Sequence, residues 1–95
     1  MTARKPETIF APSDGVAHRE IEGQILLLKA GDDVLQTLNA AGAFIWKRLI
    51  KKQAPSKIAA ALAAEFRIDR DRADADVAAF IADLQKQGFV RKLRS

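Results

Sequence analysis

The sequence predicts an α+β fold in which an N-terminal three-stranded antiparallel sheet precedes a three-helix bundle. Two extended runs, Val16–Ile21 and Gln24–Lys29, are joined by Glu22-Gly23, and glycine accepts the positive φ of a tight hairpin turn. A third run, Val34–Leu38, ends at Asn39, after which every periodic segment is helical. We therefore expect three strands, three helices and no further sheet.

The composition is ordinary for one small globular domain. The 95 residues are 48% hydrophobic and 29% charged, which suits a single modest core. Because there is no cysteine, disulfides, thiolate nucleophiles, cysteine-ligated zinc and iron–sulfur clusters are excluded. The longest apolar runs are too short to span a bilayer, and residues 1–6 lack the apolar segment of a signal peptide. We expect a soluble, cytoplasmic protein with no membrane partner.

The two ends of the chain are expected to lie outside the folded domain. Residues 1–14 contain two prolines and predict an extended arm whose Ile9-Phe10 docks on the core, and residues 92–95 predict a short tail. Residues 15–91 then make up the domain. Residues 25–28 are apolar without alternation, which predicts a central strand covered on one face by the helices and on the other by the arm.

Capping signals set the limits of the three helices. Asn39 is suited to cap the first helix through its side-chain oxygen, and this helix is expected to run to about residue 53. Pro55 fits the first turn of the second helix, and the third is expected to begin near Asp69 or Asp71 and to end at Gly88. The residues expected on the buried stripes are Ala43, Phe44, Trp46, Leu49, Ile50, Ile58, Leu62, Phe66, Ala73, Val77, Phe80, Ile81 and Leu84.

No catalytic, nucleotide or metal motif is present in the sequence. The single histidine, His18, lies on an alternating strand, where we expect a surface residue rather than a general base. Ser13, Ser56 and Ser95 have no nucleophile-elbow or triad context. Asp32-Asp33 belongs to a turn signal, without calcium-loop or His-carboxylate spacing. We therefore expect a protein that is not an enzyme and needs no metal or cofactor.

A winged-helix DNA-binding protein is one functional hypothesis, because a hairpin with three helices and a net charge of +4 suit that class. The third helix opposes it, since its aspartates outnumber its basic residues and would face phosphates. These residues are Asp69, Asp71, Asp74, Asp76 and Asp83 against Arg70, Arg72 and Lys86. A rival phosphate patch is the basic cluster, defined as Lys47, Arg48, Lys51 and Lys52, whose alternative interpretation is a solvated helix face.

Strand addition is the second functional hypothesis. One edge of Val34–Leu38 is expected to be open, so that its main-chain groups pair with an extended peptide while an adjacent helix supplies side-chain pockets. The alternative is an edge that is merely protected by being short, and an exposed edge also permits a homodimer. Replacing Gln36 by proline is expected to abolish peptide binding by removing a main-chain donor.

Residues 16–90 resemble the PqqD family, the small peptide chaperones that are also called RiPP recognition elements. The residues that carry the resemblance are Glu22-Gly23, Leu38-Asn39, Gly42-Ala43, Ile45-Trp46, Ile58, Leu62, Asp76-Val77, Phe80, Leu84 and Gly88. The chain departs from the pyrroloquinoline quinone protein itself at Lys51-Lys52-Gln53 and Ala54-Pro55-Ser56, where that protein typically carries Asp-Gly and Thr. The resemblance is therefore to the family rather than to that member.

The resemblance implies a module that binds the leader segment of a ribosomally made precursor peptide and presents it to a modifying enzyme. Such an enzyme would be a radical SAM enzyme, a cyclase or a protease. The leader would add as an antiparallel strand to the third strand, in the groove against the third helix. The implied peptide-binding residues are Val34, Leu35, Gln36, Thr37 and Leu38 through the backbone, Val77 and Phe80 as an apolar floor, and Asp76 and Asp83 as a selector of a basic side chain. For Val77 and Phe80 the alternative is plain core packing.

Overall fold

The computed structural model describes residues 8–29 and 34–94 and confirms the α+β class. The elements are β1 Ile9–Pro12, β2 Val16–Ile21, β3 Gln24–Lys29, β4 Val34–Leu38, α1 Ala40–Leu49, α2 Pro55–Phe66, α3 Arg70–Gln87 and β5 Val90–Arg94. The predicted three-stranded antiparallel sheet is present in the order β2-β3-β4. Strands β1 and β5 form a separate two-stranded sheet, so the fold has two strands more than expected.

The β2-β3 hairpin follows from its two turn residues. Glu22 and Gly23 have φ values of 50° and 82°, and positive φ at both central positions is the hallmark of a type I′ turn. The turn places Ile21 opposite Gln24. Strand β3 then lies between β2 and β4, as its apolar run predicted.

The second sheet corrects the expectation that no strand follows the helices. Strand β1 pairs antiparallel with β5, with Pro12 opposite Val90 and a register shift between Ile9 and Phe10. Because the two strands lie almost a whole chain length apart, no local periodicity in the sequence predicts that they pair. Phe10 packs against the core, as expected of the arm. The division into arm, domain and tail stays a prediction.

The ends of the helices follow the capping signals with one exception. The Gly42 N–H donates to Asn39 Oδ1 at 2.8 Å at the start of α1, and Gly88 ends α3 with a φ of 86°. The predicted end of α1 near residue 53 was wrong, because the helix stops at Leu49. The turn that follows it places Lys52 at a φ of 63°. A lysine in the left-handed region gives none of the glycine signal that usually marks a helix end.

The core lies between the inner face of the β2-β3-β4 sheet and the three helices. Its largest fully buried side chains are Trp46, Phe89, Ile25, Leu27, Leu49, Ile58, Leu62, Leu84 and Val77. Four predicted core positions were wrong in part: Phe66 is 38% exposed, and Phe44, Ile50 and Phe80 are only half-buried. The expected full cover of the outer face of β3 was also wrong, since Leu26 and Leu28 are half-buried there while β1 pairs with β5.

Candidate functional site

Strand β4 is an edge strand with an open side. It pairs with β3 and, within residues 8–29 and 34–94, with no other strand. Natural proteins usually protect such an edge with lysine, proline or a bulge. The β4 sequence VLQTL carries neither charge nor proline, and its register with β3 is regular. This edge is therefore chemically available for pairing.

The register decides which main-chain groups of β4 point outward. Residues that flank a two-residue hairpin turn form a hydrogen-bonded pair, so Ile21 and Gln24 are such a pair. Bonding direction alternates along a strand, so Ile25 and Leu27 direct their backbone groups at β4. Their partners are Leu38 and Gln36, whose backbone groups are consequently engaged inside the sheet.

The outward-pointing residues of β4 are Leu35 and Thr37, which alternate with the engaged ones. Their N–H and C=O groups face the open side. This geometry overturns the choice of Gln36→Pro as a selective test, because the Gln36 N–H bonds to Leu27 rather than to a ligand. A proline at Thr37 removes an outward donor instead.

A groove of about 140 Å³ runs between β4 and α3 and is called the strand groove here. It is lined by Gln36, Thr37, Leu38, Asn39, Gly42, Phe80, Asp83 and Leu84. Lys29 joins the sheet to the carboxyl end of α3, where its Nζ donates to the Gln87 carbonyl at 3.5 Å. Because Lys29 is opposite Val34, α3 runs antiparallel to β4.

A larger groove of about 470 Å³, called the helix groove here, continues past the end of β4 between α1 and α3. It is lined by Asn39, Ala41, Gly42, Ile45, Arg72, Asp76, Ala79, Phe80 and Asp83. Four residues line both grooves, namely Asn39, Gly42, Phe80 and Asp83. The two grooves therefore adjoin at these residues, with an apolar floor and charged groups at the rim.

The rim charges belong to α3. Asp83 accepts a hydrogen bond from Gln87 Nε2 at 2.9 Å, and Asp76 forms an ion pair with Arg72 at 3.6 Å. Both aspartates are exposed, so these contacts are weak in free energy. The Asp83 carboxylate has no basic partner among the described residues. The rim therefore offers a negative group to a ligand.

The structure brings together most of the predicted site residues. Gln36, Thr37, Leu38, Phe80 and Asp83 line the strand groove, while Asp76 lines the helix groove. Leu35 presents its backbone groups to the open side of β4, whereas Val34 lies opposite Lys29 and has its backbone groups engaged inside the sheet, like those of Gln36 and Leu38.

The remaining predicted site residue, Val77, is 1% exposed and belongs to the core, so its side chain offers no surface to a ligand in this structure. Gly42, Arg72 and Ala79 also line the grooves but were not predicted as site residues. The one available signal was the glycine at position 42, three residues after the predicted helix cap.

The basic cluster is partly engaged within the chain. Lys47 Nζ lies 2.9 Å from Glu20 Oε2. The Arg48 guanidinium lies 4.5 Å from the centre of the Phe44 ring, and Phe44 meets Phe66 edge-to-face at 5.7 Å. Two of the four cations therefore have intramolecular partners.

The other expectations concern His18 and the acidic turn. His18 is exposed, as predicted, and its ring meets Trp46 edge-on with 6.0 Å between centroids. Asp32-Asp33 lies outside the described residues. Within the described part of the chain, no group of three or more His, Cys, Asp or Glu side chains is placed to hold a metal. No described helix is both long and apolar enough to cross a bilayer.

Two solved structures are similar to this chain over nearly their whole length. "TbiB1 in Complex with the TbiA(beta) Leader Peptide" has a TM-score of 0.82 and 26% identity and covers 90% of this chain and 99% of that one. "Lasso peptide synthetase B1 complexed with the leader peptide" has a TM-score of 0.82 and 24% identity, over 86% of this chain and 96% of that one. The second likeness concerns the fold alone.

Of the two sequence comparisons, one identifies the family. No curated protein sequence matches the chain. The profile of the family described as Coenzyme PQQ synthesis protein D (PqqD) matches residues 24–90, a span that begins at β3, includes β4 and the three helices, and extends to the start of β5. Since this match covers well over half of the sequence, the chain belongs to the PqqD family.

Proposed function

We propose that this protein binds the leader segment of a ribosomally made precursor peptide by strand addition to β4 and presents it to a modifying enzyme. The observation that carries the proposal is the open, uncharged edge of β4 beside the strand groove. Strand addition requires both features: outward main-chain groups for affinity and a neighbouring groove for side-chain selectivity.

The similar structures support this choice of ligand. Both are described as complexes with a leader peptide, and the first shares 26% of its sequence with this chain at a TM-score of 0.82. Family membership also favours peptide recognition over an unrelated use of the same fold. A lasso peptide synthetase is the enzyme system named for one neighbour. For this chain the modifying enzyme stays open among a radical SAM enzyme, a cyclase and a protease.

In the proposed complex the leader runs antiparallel to β4. Leu35 and Thr37 supply two donors and two acceptors for a ladder of up to four hydrogen bonds. Each such bond contributes roughly 0.5–1.5 kcal/mol net, and ordering a disordered peptide costs about 2–5 kcal/mol. The ladder alone therefore gives weak binding, and groove contacts must supply much of the affinity.

Side-chain selection belongs to the grooves in this proposal. Alternate leader side chains would point toward Phe80, whose half-buried ring lines both grooves. Asp83 at the rim, together with Asp76, would favour a basic leader residue. At Asp76 the preference for a basic leader residue is weaker, because Arg72 already forms an ion pair with this aspartate. The protein itself carries out no chemistry in this scheme.

DNA binding is the less favoured candidate. Helix α3 carries four aspartates against three basic residues, and its rim carboxylates would repel phosphates. A homodimer that pairs through β4 would use the same outward groups as the leader. Peptide binding and such a dimer would therefore compete, which the experiment below also detects.

The experiment is an NMR titration of isotope-labelled protein with a synthetic peptide carrying the leader of the precursor encoded beside this gene. An arbitrary DNA duplex serves as the comparison, and sedimentation with and without peptide reports on dimers. We expect saturable shifts in β4 and α3 with the peptide and none with DNA. Shifts confined to the basic cluster, and produced by DNA alone, would contradict the proposal.

A further inference from the structure

Gly42 lies inside α1 for a reason other than backbone conformation. Gly42 is the third residue of α1; glycine is less favourable than alanine in a helix, and one is usually retained for positive φ or for close approach of another group. Among residues 8–29 and 34–94, the glycines with positive φ are Gly15, Gly23 and Gly88, so Gly42 is not one of them. A close approach must account for it.

The approaching group is the Phe80 ring. A Cβ at position 42 would lie 3.0 Å from Phe80 Cε1, 3.3 Å from Asn39 Oδ1 and 3.4 Å from Leu38 Cβ. The first distance is well inside ordinary van der Waals contact between carbons. All three neighbouring residues line the strand groove, so a methyl group here would enter the wall of that groove.

The Phe80 ring cannot move toward the core to make room for a methyl group at position 42. Its half-buried ring packs against the core, and cores are close-packed and resist displacement. The free side of the ring faces the two grooves that it lines. A methyl group on residue 42 would therefore push the ring outward and narrow the junction of the grooves.

We infer that Gly42 is a positioning residue of the peptide site. By lacking a side chain it lets the Phe80 ring seat against α1, and this seating keeps the strand groove continuous with the helix groove. One extended peptide can then occupy both. The inference rests on the proposed function and adds that residue 42 sets the width of the site.

A double-mutant cycle of Gly42→Ala and Phe80→Ala tests the inference. The probe is the fluorescein-labelled leader peptide named above, and fluorescence anisotropy measures its Kd. We expect Gly42→Ala to raise Kd about tenfold, the scale of a modest overpacking penalty, while Tm stays within about 5 °C of the parent. In the Phe80→Ala background, Gly42→Ala should leave Kd unchanged, because the obstructing ring is gone.

The outcomes separate this inference from the proposed function. If the parent protein binds the probe and Gly42→Ala binds equally well, the inference is overturned and the function stands. If the parent does not bind, both are overturned. A measurement on the unmodified protein does not depend on the variant folding: the Gly42 Hα and Phe80 ring signals should shift with the same Kd as the β4 amides. Stationary signals there would also overturn the inference.

Discussion

Replacing Thr37 by proline tests strand addition to β4 by removing a single backbone N–H donor. The Thr37 N–H points to the open side of β4, so in the free protein it makes no bond within the sheet. Proline removes this donor, and edge strands tolerate proline where the N–H faces solvent. We expect the free energy of unfolding to change by less than about 1 kcal/mol.

The loss of peptide affinity follows from the same geometry. The missing hydrogen bond contributes roughly 0.5–1.5 kcal/mol, and a peptide carbonyl left without a donor adds a desolvation cost of about 1–3 kcal/mol if fully buried. The site is open to solvent at its rim, so we take about 2 kcal/mol in total. That free energy corresponds to a Kd about 30-fold higher.

The assay is anisotropy with the labelled leader peptide, and two variants serve as controls. Thr37→Ala keeps the donor and should bind nearly as the parent does, since the Thr37 side chain is exposed. Gln36→Pro should instead destabilise the fold by about 2–3 kcal/mol, because it breaks the bond to Leu27. Equal affinity of Thr37→Pro and the parent would refute pairing along β4.

The remaining predictions concern charge and capping. Asp83→Asn should raise the Kd of a leader peptide with a basic residue about three- to fivefold in isothermal titration calorimetry, which is the scale of an exposed ion pair, whereas the matched change Asp71→Asn outside the grooves should leave Kd unchanged. Equal effects of the two changes would show that Asp83 does not select a basic residue. Asn39→Ala should lower the free energy of unfolding by about 1 kcal/mol and Tm by about 4–8 °C, because it removes the hydrogen bond from the Gly42 N–H at the start of α1. An unchanged Tm in calorimetry would show that this hydrogen bond contributes nothing to stability. Charge reversal at both Lys51 and Lys52 should leave the Kd of the leader peptide unchanged in fluorescence anisotropy, because neither residue lines a groove. A large loss of affinity would indicate that the peptide binds at the basic cluster instead.

Features that depend on neighbours along the chain were predictable. Glu22-Gly23 specified the hairpin because positive φ at both positions is a local requirement. Asn39 and Gly88 specified helix ends because a cap involves residues three or four positions apart. Without a glycine, the end of α1 at Leu49 gave no such signal. The candidate site was predictable in outline, since an uncharged third strand can be recognised from its residues.

Features that depend on distant residues required the tertiary structure. The pairing of β1 with β5 joins strands that lie far apart in the sequence. Neither short strand has a residue pattern that predicts which strand it pairs with. Likewise, the Phe80 ring lies so near Gly42 that a Cβ at position 42 would be 3.0 Å from Phe80 Cε1, and this contact joins two helices through residues 38 positions apart.

The sequence by itself determined the order of elements from β2 to α3, the caps at Asn39 and Gly88 and most of the apolar stripes, because these arise from local backbone preferences and periodicity. Tertiary structure alone decided that Thr37 rather than Gln36 directs its N–H to the open side of β4, and that Val77 lies in the core while Asp83 lines the groove. Those outcomes depend on strand register and on the rotation of α3 against the sheet, which are set by packing the whole core at once.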